Sequence, residues 1–281
     1  MIVYGSEIAL KIKTQVKAEI DEIKLANKRI PKLGVILVGD NPASISYIKG
    51  KGKACEEVGM DFELMSLAAD VGQATLIEKI EMWNQDPSID GILVQLPLPK
   101  GYDYDEKYIL EMVDPRKDVD GLTSSNAGKL FLGEECFAPC TPLGVMEILK
   151  DCQIDLCGKN VVVVGRSNLV GLPLSRLLIG ANATVTVCHS KTNNLKEVCQ
   201  RADVLIVTIG KARYINHEYV KDGAVVIDVG VNRVDGKLYG DVDFDSVKDK
   251  ASIITPVPKG VGPMTIAMLI VNVLKSYRQG E

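Results

Sequence analysis

Apolar residues along the chain switch between a helical and a strand-like period. Over residues 6–29, Ile8, Ile12, Val16, Ile20 and Ile23 recur at steps of three and four with Lys and Glu between them, which predicts an amphipathic helix. Short β-rich runs follow at "KLGVILVG" (32–39), "DFELMSL" (61–67) and "DGILVQLP" (90–97). The stretches between them have the length of crossover helices, so the first half reads as α/β. Residues 112–144, "MVDPRKDVDGLTSSNAGKLFLGEECFAPCTPLG", lose the pattern and are rich in Pro, Gly and Asp. They read as a linker plus a functional loop. Thr141 and Pro142 offer a helix start, a capping hydroxyl followed by proline at the first helical position, with the helix ending at about residue 152.

Alternation then resumes, with strands expected near 160–165, 184–188, 204–209, 224–230 and 252–255. Runs such as "VVVV" and "AVVIDVG" are apolar at successive positions, as in parallel strands buried on both faces. "NRVDGKLYGD" (232–241), centred on Asp235 and Gly236, predicts a hairpin inserted into that pattern. A closing helix over 264–279 could pack on either half.

A chain of 281 residues favours two domains over one core. Composition is 46% apolar and 25% charged with a formal net charge of -4 and no long block of one sign, so no basic face for nucleic acid is expected. Seven cysteines, odd in number and without a C-x-x-C pair, point to a reduced intracellular protein. The spacings of Cys136, Cys140, Cys152 and Cys157, with His189 the lone candidate histidine, argue against a zinc cluster. The N-terminus carries charge by residue 7 and lacks a basic segment followed by an apolar one, so no secretory signal is expected. The apolar run "TIAMLIVNVL" (265–274) is half the length that spans a bilayer; no membrane partner and a cytoplasmic location are the expectations.

"GKNVVVVGRSNLVGLPLSRLL" (158–178) passes from strand to glycine turn to helix, the setting of a dinucleotide loop. It departs from G-x-G-x-x-G, because Gly165 and Gly171 are six apart and Ser167 stands where the second glycine belongs. An ordinary βα turn is the simpler alternative. As a phosphate site, the helix N-terminus would offer amide donors, and Ser167 and Arg166 a hydroxyl and a cation. An NAD site also places Asp or Glu after the next strand to bind the ribose hydroxyls. Here that strand ends in Cys188, His189, Ser190, Lys191 and Thr192, with no acid. A hydroxyl and cations suit a 2′-phosphate that a carboxylate would repel, so NADP is favoured over NAD. His189 fits a nucleotide contact better than a general base, and His217 fits the surface.

"NPASISYIKGKGKACEEVGM" (41–60) should form a helix capped by Asn41 or Ser44, with Tyr47 and Lys51 on one face. A solvated Tyr and Lys would be the bland reading. Two features oppose it: the helix begins where a parallel strand ends, and it contains Gly50 and Gly52, poor helix formers. A short-chain dehydrogenase is excluded by order, since there the Tyr-x-x-x-Lys pair follows the nucleotide loop. "DGILVQLPLP" adds Gln95 ahead of alternating prolines, and "KDVDG" (117–121) adds Asp118 and Asp120.

Taken in order, Y-x-x-x-K in a KACEEVG helix, D-G-I-L-V-Q-L-P-L-P, K-D-V-D-G-L, P-C-T-P-x-G, V-V-G-R-S-x-x-V-G-x-P, C-H-S-K-T, V-I-D-V-G and I-T-P-V-P-x-G-V-G-P-M-T resemble the bifunctional methylenetetrahydrofolate dehydrogenase/cyclohydrolase family over nearly the whole chain. The resemblance implies a folate-binding catalytic α/β domain over 1–141, a Rossmann-type NADP domain over 142–257, and residues 258–281 packing back on the first. It implies NADP-dependent oxidation of 5,10-methylenetetrahydrofolate and hydrolysis of the methenyl product to 10-formyltetrahydrofolate. By the same resemblance Lys51 is the catalytic lysine, Tyr47 stacks on the folate, Gln95 positions the lysine, and Asp120 and Pro263 bind substrate. Thr141, Gly165, Arg166, Ser167, Gly171, His189, Ser190 and Val231 match cofactor positions. No metal is implied, and a homodimer is, with the 232–241 hairpin a candidate contact. One departure is Lys259, where the family usually has a second glycine before Gly260. A dehydrogenase without hydrolase activity would be expected to lack the lysine; a non-catalytic NADP-binding regulator would need an appended module for which no residues remain unassigned.

Overall fold

The computed structural model describes residues 1–280. Helix α1 (Gly5–Leu25) leads into β1 (Lys32–Val38), α2 (Pro42–Val58), β2 (Asp61–Leu67), α3 (Gln73–Gln85), β3 (Gly91–Val94), and the short helices α4 (Glu106–Glu111) and α5 (Ser124–Leu132). After α6 (Cys140–Asp151) come β4 (Asn160–Val164), α7 (Gly171–Gly180), β5 (Thr184–Cys188), α8 (Leu195–Cys199), β6 (Val204–Val207) and β7 (Val225–Asp228). The hairpin β8 (Asn232–Val234) and β9 (Lys237–Tyr239), α9 (Phe244–Val247), β10 (Ile253–Ile254) and α10 (Val261–Gly280) complete the chain.

Two compact units result. The first comprises 10–140 with 266–280, the second 1–9 with 141–265. In the first, a parallel sheet runs in the order β2-β1-β3. Its central strand is buried from Leu33 to Val38, and Trp83, Leu76 and Ile80 of α3 pack over Ile36, Ile92 and Val94. In the second, a parallel sheet runs β10-β7-β6-β4-β5, with β6 and β7 buried along their whole length, as their apolar runs predict. Asp235 and Gly236 both adopt positive φ between β8 and β9, as a tight hairpin turn requires.

Both sheets have a point at which the chain leaves a strand to one side and returns on the other. β1 is followed by β2 on one flank and β3 on the opposite one; β4 is followed by β5 and then β6 in the same way. Crevices for ligands open beyond the carboxyl ends of strands at such switch points. Gln95 follows β3 there, and Gly165 follows β4.

The structure departs from the sequence pattern in three places. The supposed irregular passage 112–144 contains α5, capped by Thr123, whose hydroxyl accepts from Asn126 N–H, and stopped by Gly133 at φ +78°. Its apolar residues Phe131 and Leu132 stay exposed, so no buried periodicity marks it in the sequence. Helix α6 starts at Cys140, so Thr141 and Pro142 lie within its first turn. Ile2 forms a parallel bridge to Ile254, with Val3 N–H donating to the Ile254 carbonyl at 2.9 Å and Ile254 N–H to that of Met1 at 3.0 Å. Two residues beside β10 are too few to register as a strand pattern.

From residue 266 onward α10 belongs to the first unit. Asn272 Nδ2 donates to the carbonyls of Val119 (2.8 Å) and Ala138 (3.3 Å), and Ser276 Oγ to those of Asp90 (2.6 Å) and Arg116 (2.8 Å). These bonds pin the loop that carries Asp120. No helix among the described residues is long and apolar enough to cross a membrane.

Candidate active site

In the first unit the site is assembled from α2, the end of β3 and residues 117–121. Asn41 caps α2, its side-chain oxygen accepting from Ala43 N–H (2.9 Å) and Ser44 N–H (3.3 Å), with Pro42 next. The helix buries Ser44, Ile48, Ala54, Cys55 and Val58. Tyr47 is 55% exposed, and Lys51, one turn later, is half-buried. Of the two helix glycines flanking Lys51, Gly52 has a packing reason, since a Cβ there would come within 3.3 Å of the Phe62 ring, whereas one at Gly50 would make only ordinary contact with Ile266 at 3.5 Å.

Lys51 Nζ donates to Gln95 Oε1 at 2.9 Å. The glutamine is fixed from two sides, since its side-chain Nε2 donates to the Leu96 carbonyl (2.7 Å) and its backbone N–H to that of Ile36 (2.9 Å). The amide oxygen is therefore the end presented to the lysine. Residues 117–118 run parallel beside β3, with Ile92 N–H donating to the Lys117 carbonyl at 2.8 Å and a bridge from Ile92 to Asp118. This register carries Asp120 toward the carboxyl end of β3.

The two aspartates of "KDVDG" divide their work. Asp118 is buried and accepts from Leu122 N–H (3.0 Å), Thr123 N–H (2.9 Å), Thr123 Oγ1 (2.7 Å) and Asn126 Nδ2 (2.8 Å), which closes the loop. Asp120 is left to interact with Lys51 and Cys140. Burial pushes the Lys51 pKa down, against the opposing charges of Asp120 and Cys140. Burial pushes Asp120 up, opposed first by Lys51 and then by hydrogen bonding from Cys140. Desolvation thus outweighs mutual attraction, and both partners are drawn toward their neutral forms. The Cys140 thiol, 3.4 Å from the Val119 carbonyl, is raised well above its ordinary range by burial and by Asp120. Sequence reasoning gave this cysteine no role of its own, because nothing in its spacing reveals the contact with Asp120.

In the second unit the turn after β4 is built for close approach. Gly165 has φ +137°, and a Cβ there would overlap the Thr208 carbonyl oxygen. A Cβ at Gly171 would overlap the Gly165 carbonyl, so the start of α7 lies directly against the turn. Ser167 Oγ accepts from Val170 N–H (3.2 Å) and Gly171 N–H (3.4 Å), which organises the turn and leaves its O–H free to donate. Arg166 is exposed. Gly165 N–H donates to the Cys188 carbonyl at 2.9 Å, placing the end of β5 beside the turn. There His189 Nδ1 accepts from Lys191 N–H (3.1 Å), Thr192 Oγ1 accepts from His189 N–H (2.8 Å), and Ser190 and Lys191 are exposed. Glycine contacts, amide donors, hydroxyls and cations without a carboxylate at the end of β5 fit a phosphorylated dinucleotide.

Sequence models of two domains match this chain: tetrahydrofolate dehydrogenase/cyclohydrolase, catalytic domain, over residues 3–120, and its NAD(P)-binding domain over 139–281. The chain belongs to the tetrahydrofolate dehydrogenase/cyclohydrolase family. It is 52% identical over 279 residues to the bifunctional protein FolD of Bacillus velezensis, covering 99% of this chain and 98% of that one. Among solved structures, the bifunctional enzyme FolD-methylenetetrahydrofolate dehydrogenase/cyclohydrolase from Campylobacter jejuni superposes with a TM-score of 0.96 at 47% identity, covering 99% of each chain. The Trypanosoma brucei methylenetetrahydrofolate dehydrogenase-cyclohydrolase, complexed with NADP cofactor and inhibitor, gives 0.94 at 34% identity, covering 99% of this chain and 97% of that one.

The remaining candidate residues are more dispersed. Thr141 Oγ1 lies 2.9 Å from Thr265 Oγ1, which joins the N-terminal ends of α6 and α10, where Pro263 is half-buried. Val231, 46% exposed, stands in the loop between β7 and β8. Lys259, at the family's usual glycine, has φ +77° and an exposed side chain, and its carbonyl accepts from Ser6 N–H at 3.1 Å. No cluster of three or more His, Cys, Asp or Glu arranged to hold a metal occurs among the described residues.

Proposed function

We propose that Lys51, Tyr47, Gln95 and Asp120, with Pro263, form the folate site of this enzyme, and that Thr141, Gly165, Arg166, Ser167, Gly171, His189, Ser190 and Val231 hold NADP. The chain is a bifunctional methylenetetrahydrofolate dehydrogenase and methenyltetrahydrofolate cyclohydrolase. Bound NADP⁺ supplies the hydride acceptor for the first activity. The methylene carbon is already activated by two nitrogens, so the protein's contribution to this step is orientation. The exposed Tyr47 ring stacks on the folate, and Asp120 binds the pterin.

Hydrolysis needs a base. Water attacks the methenyl carbon and passes one proton to the neutral Lys51 amine; the hydroxyl of the adduct then gives up its remaining proton as the C=O bond forms and the C–N5 bond breaks, N5 takes up a proton, and the formyl group is left on N10. Burial already lowers the Lys51 pKa, and a methenyl cation beside it lowers it further by like-charge repulsion. Gln95 holds the amine in place from its sheet-anchored position. That bond, at the carboxyl end of β3 and alongside Asp120, is the observation that carries the reading.

Arg166, Ser190 and Lys191 supply cationic and hydroxyl contacts for the 2′-phosphate. The seven cysteines are free, in keeping with a reduced cytoplasmic enzyme. A homodimer is the proposed assembly. Lys51→Ala is expected to reduce hydrolysis of methenyltetrahydrofolate to the uncatalysed rate in an absorbance assay; a purified, folded variant that hydrolyses it at the wild-type rate contradicts the assignment.

A further inference from the structure

Asp241 is fully buried, lies outside every position matched to substrate or cofactor, and collects an unusual set of donors. Its carboxylate accepts from three consecutive backbone amides, Ile209 N–H (2.6 Å), Gly210 N–H (3.0 Å) and Lys211 N–H (2.8 Å). Successive amides converging in this way form a nest, a backbone concavity suited to an anion. Here the anion is the protein's own. A fourth donor, Asn232 Nδ2, reaches the same carboxylate at 2.9 Å.

The segments so gathered follow adjacent strands of one sheet. Residues 208–211 leave β6 at the switch point, where Thr208 N–H donates to the Val164 carbonyl at 2.8 Å and the Thr208 carbonyl packs on Gly165. Residues 229–232 leave β7 and include Val231. A Cβ on Gly230 would overlap the Asp241 carboxylate, so this loop also lies directly on it. Asp241 is held in turn by its own backbone: its N–H donates to Asp228 Oδ1 (2.9 Å) and its carbonyl accepts from Ile215 N–H (3.0 Å). Buried charge that accepts four hydrogen bonds costs little to retain, whereas removing it leaves three amides without partners.

We propose that Asp241 is a positioning residue for the cofactor, setting the β6 loop against the Gly165 turn and the β7 loop that presents Val231; the proposal rests on the NADP site assigned above. It has no exposed surface, so its influence on the ligand passes through these two loops. Asp241→Asn replaces one acceptor oxygen with an amide NH2 donor that opposes the converging N–H groups. Asn232→Ala is the milder variant, removing a single donor.

The test compares KM for NADP⁺, dehydrogenase kcat and the NADP-independent hydrolysis of methenyltetrahydrofolate, each corrected for the folded fraction. Asp241→Asn is expected to raise KM for NADP⁺ by roughly tenfold, and Asn232→Ala by about two- to threefold, while hydrolysis stays within about twofold of wild type. If Asp241→Asn does not fold, Asn232→Ala decides alone. An unchanged KM in the folded variants, or loss of both activities in parallel, overturns the proposal. A wild-type enzyme that prefers NAD⁺ refutes the 2′-phosphate reading instead, and the effect of Asp241 is then read in KM for NAD⁺.

Discussion

Lys51 is held toward its neutral form by burial, and the charge of Asp120 offsets only part of that effect. With the neutral amine as the proposed base in hydrolysis, kcat for hydrolysis should rise with pH and level off above the amine's pKa, which lies below the ordinary 10.5. Because Asp120 raises that pKa, Asp120→Asn should move the rising limb to lower pH; a pH profile of kcat in which the limb stays put or moves upward contradicts the pairing. At this scale the sequence was informative about residue type and less so about partnership. Tyr47 and Lys51 share a helix face by spacing alone, but the bond to Gln95 depends on β1, which leads into α2, pairing with β3. The separation of Asp118 from Asp120 was not legible, because both lie in one irregular pentapeptide and only the fold shows which is consumed by four internal donors.

Among the elements, backbone conformation explains positions that composition leaves ambiguous. Gly165 and Gly171 are required by close approach, while Ser167 organises the start of α7 through its own oxygen. The departure from G-x-G-x-x-G is thus a turn of different construction at the same end of a parallel strand. Lys259 is the reverse case: a side chain occupying a left-handed conformation that favours glycine. Lys259→Gly should stabilise the protein by about 1 kcal/mol in denaturant unfolding. A measured loss of stability contradicts this account of the position. Helix α5 and the Ile2 bridge were not legible because neither buries an apolar stripe long enough to set a period.

Over the whole molecule, the α/β class, both parallel sheets and the hairpin follow from runs of apolar residues and the turns between them. Each sheet places one candidate site at its switch point, the lysine cluster after β3 and the glycine turn after β4. The return of α10 to the first unit was not decided by its apolar pattern, which suits either half. The bonds from Asn272 to Val119 and from Ser276 to Arg116, on the segment that carries Asp120, supply the reason for it. The most direct measurement is of purified enzyme supplied with 5,10-methylenetetrahydrofolate and NADP⁺ or NAD⁺, following reduced nucleotide and 10-formyltetrahydrofolate together. Clear preference for NADP⁺, with formation of both products, is expected. Equal rates with the two nucleotides, or methenyltetrahydrofolate accumulating and decaying only at its uncatalysed rate, would contradict it.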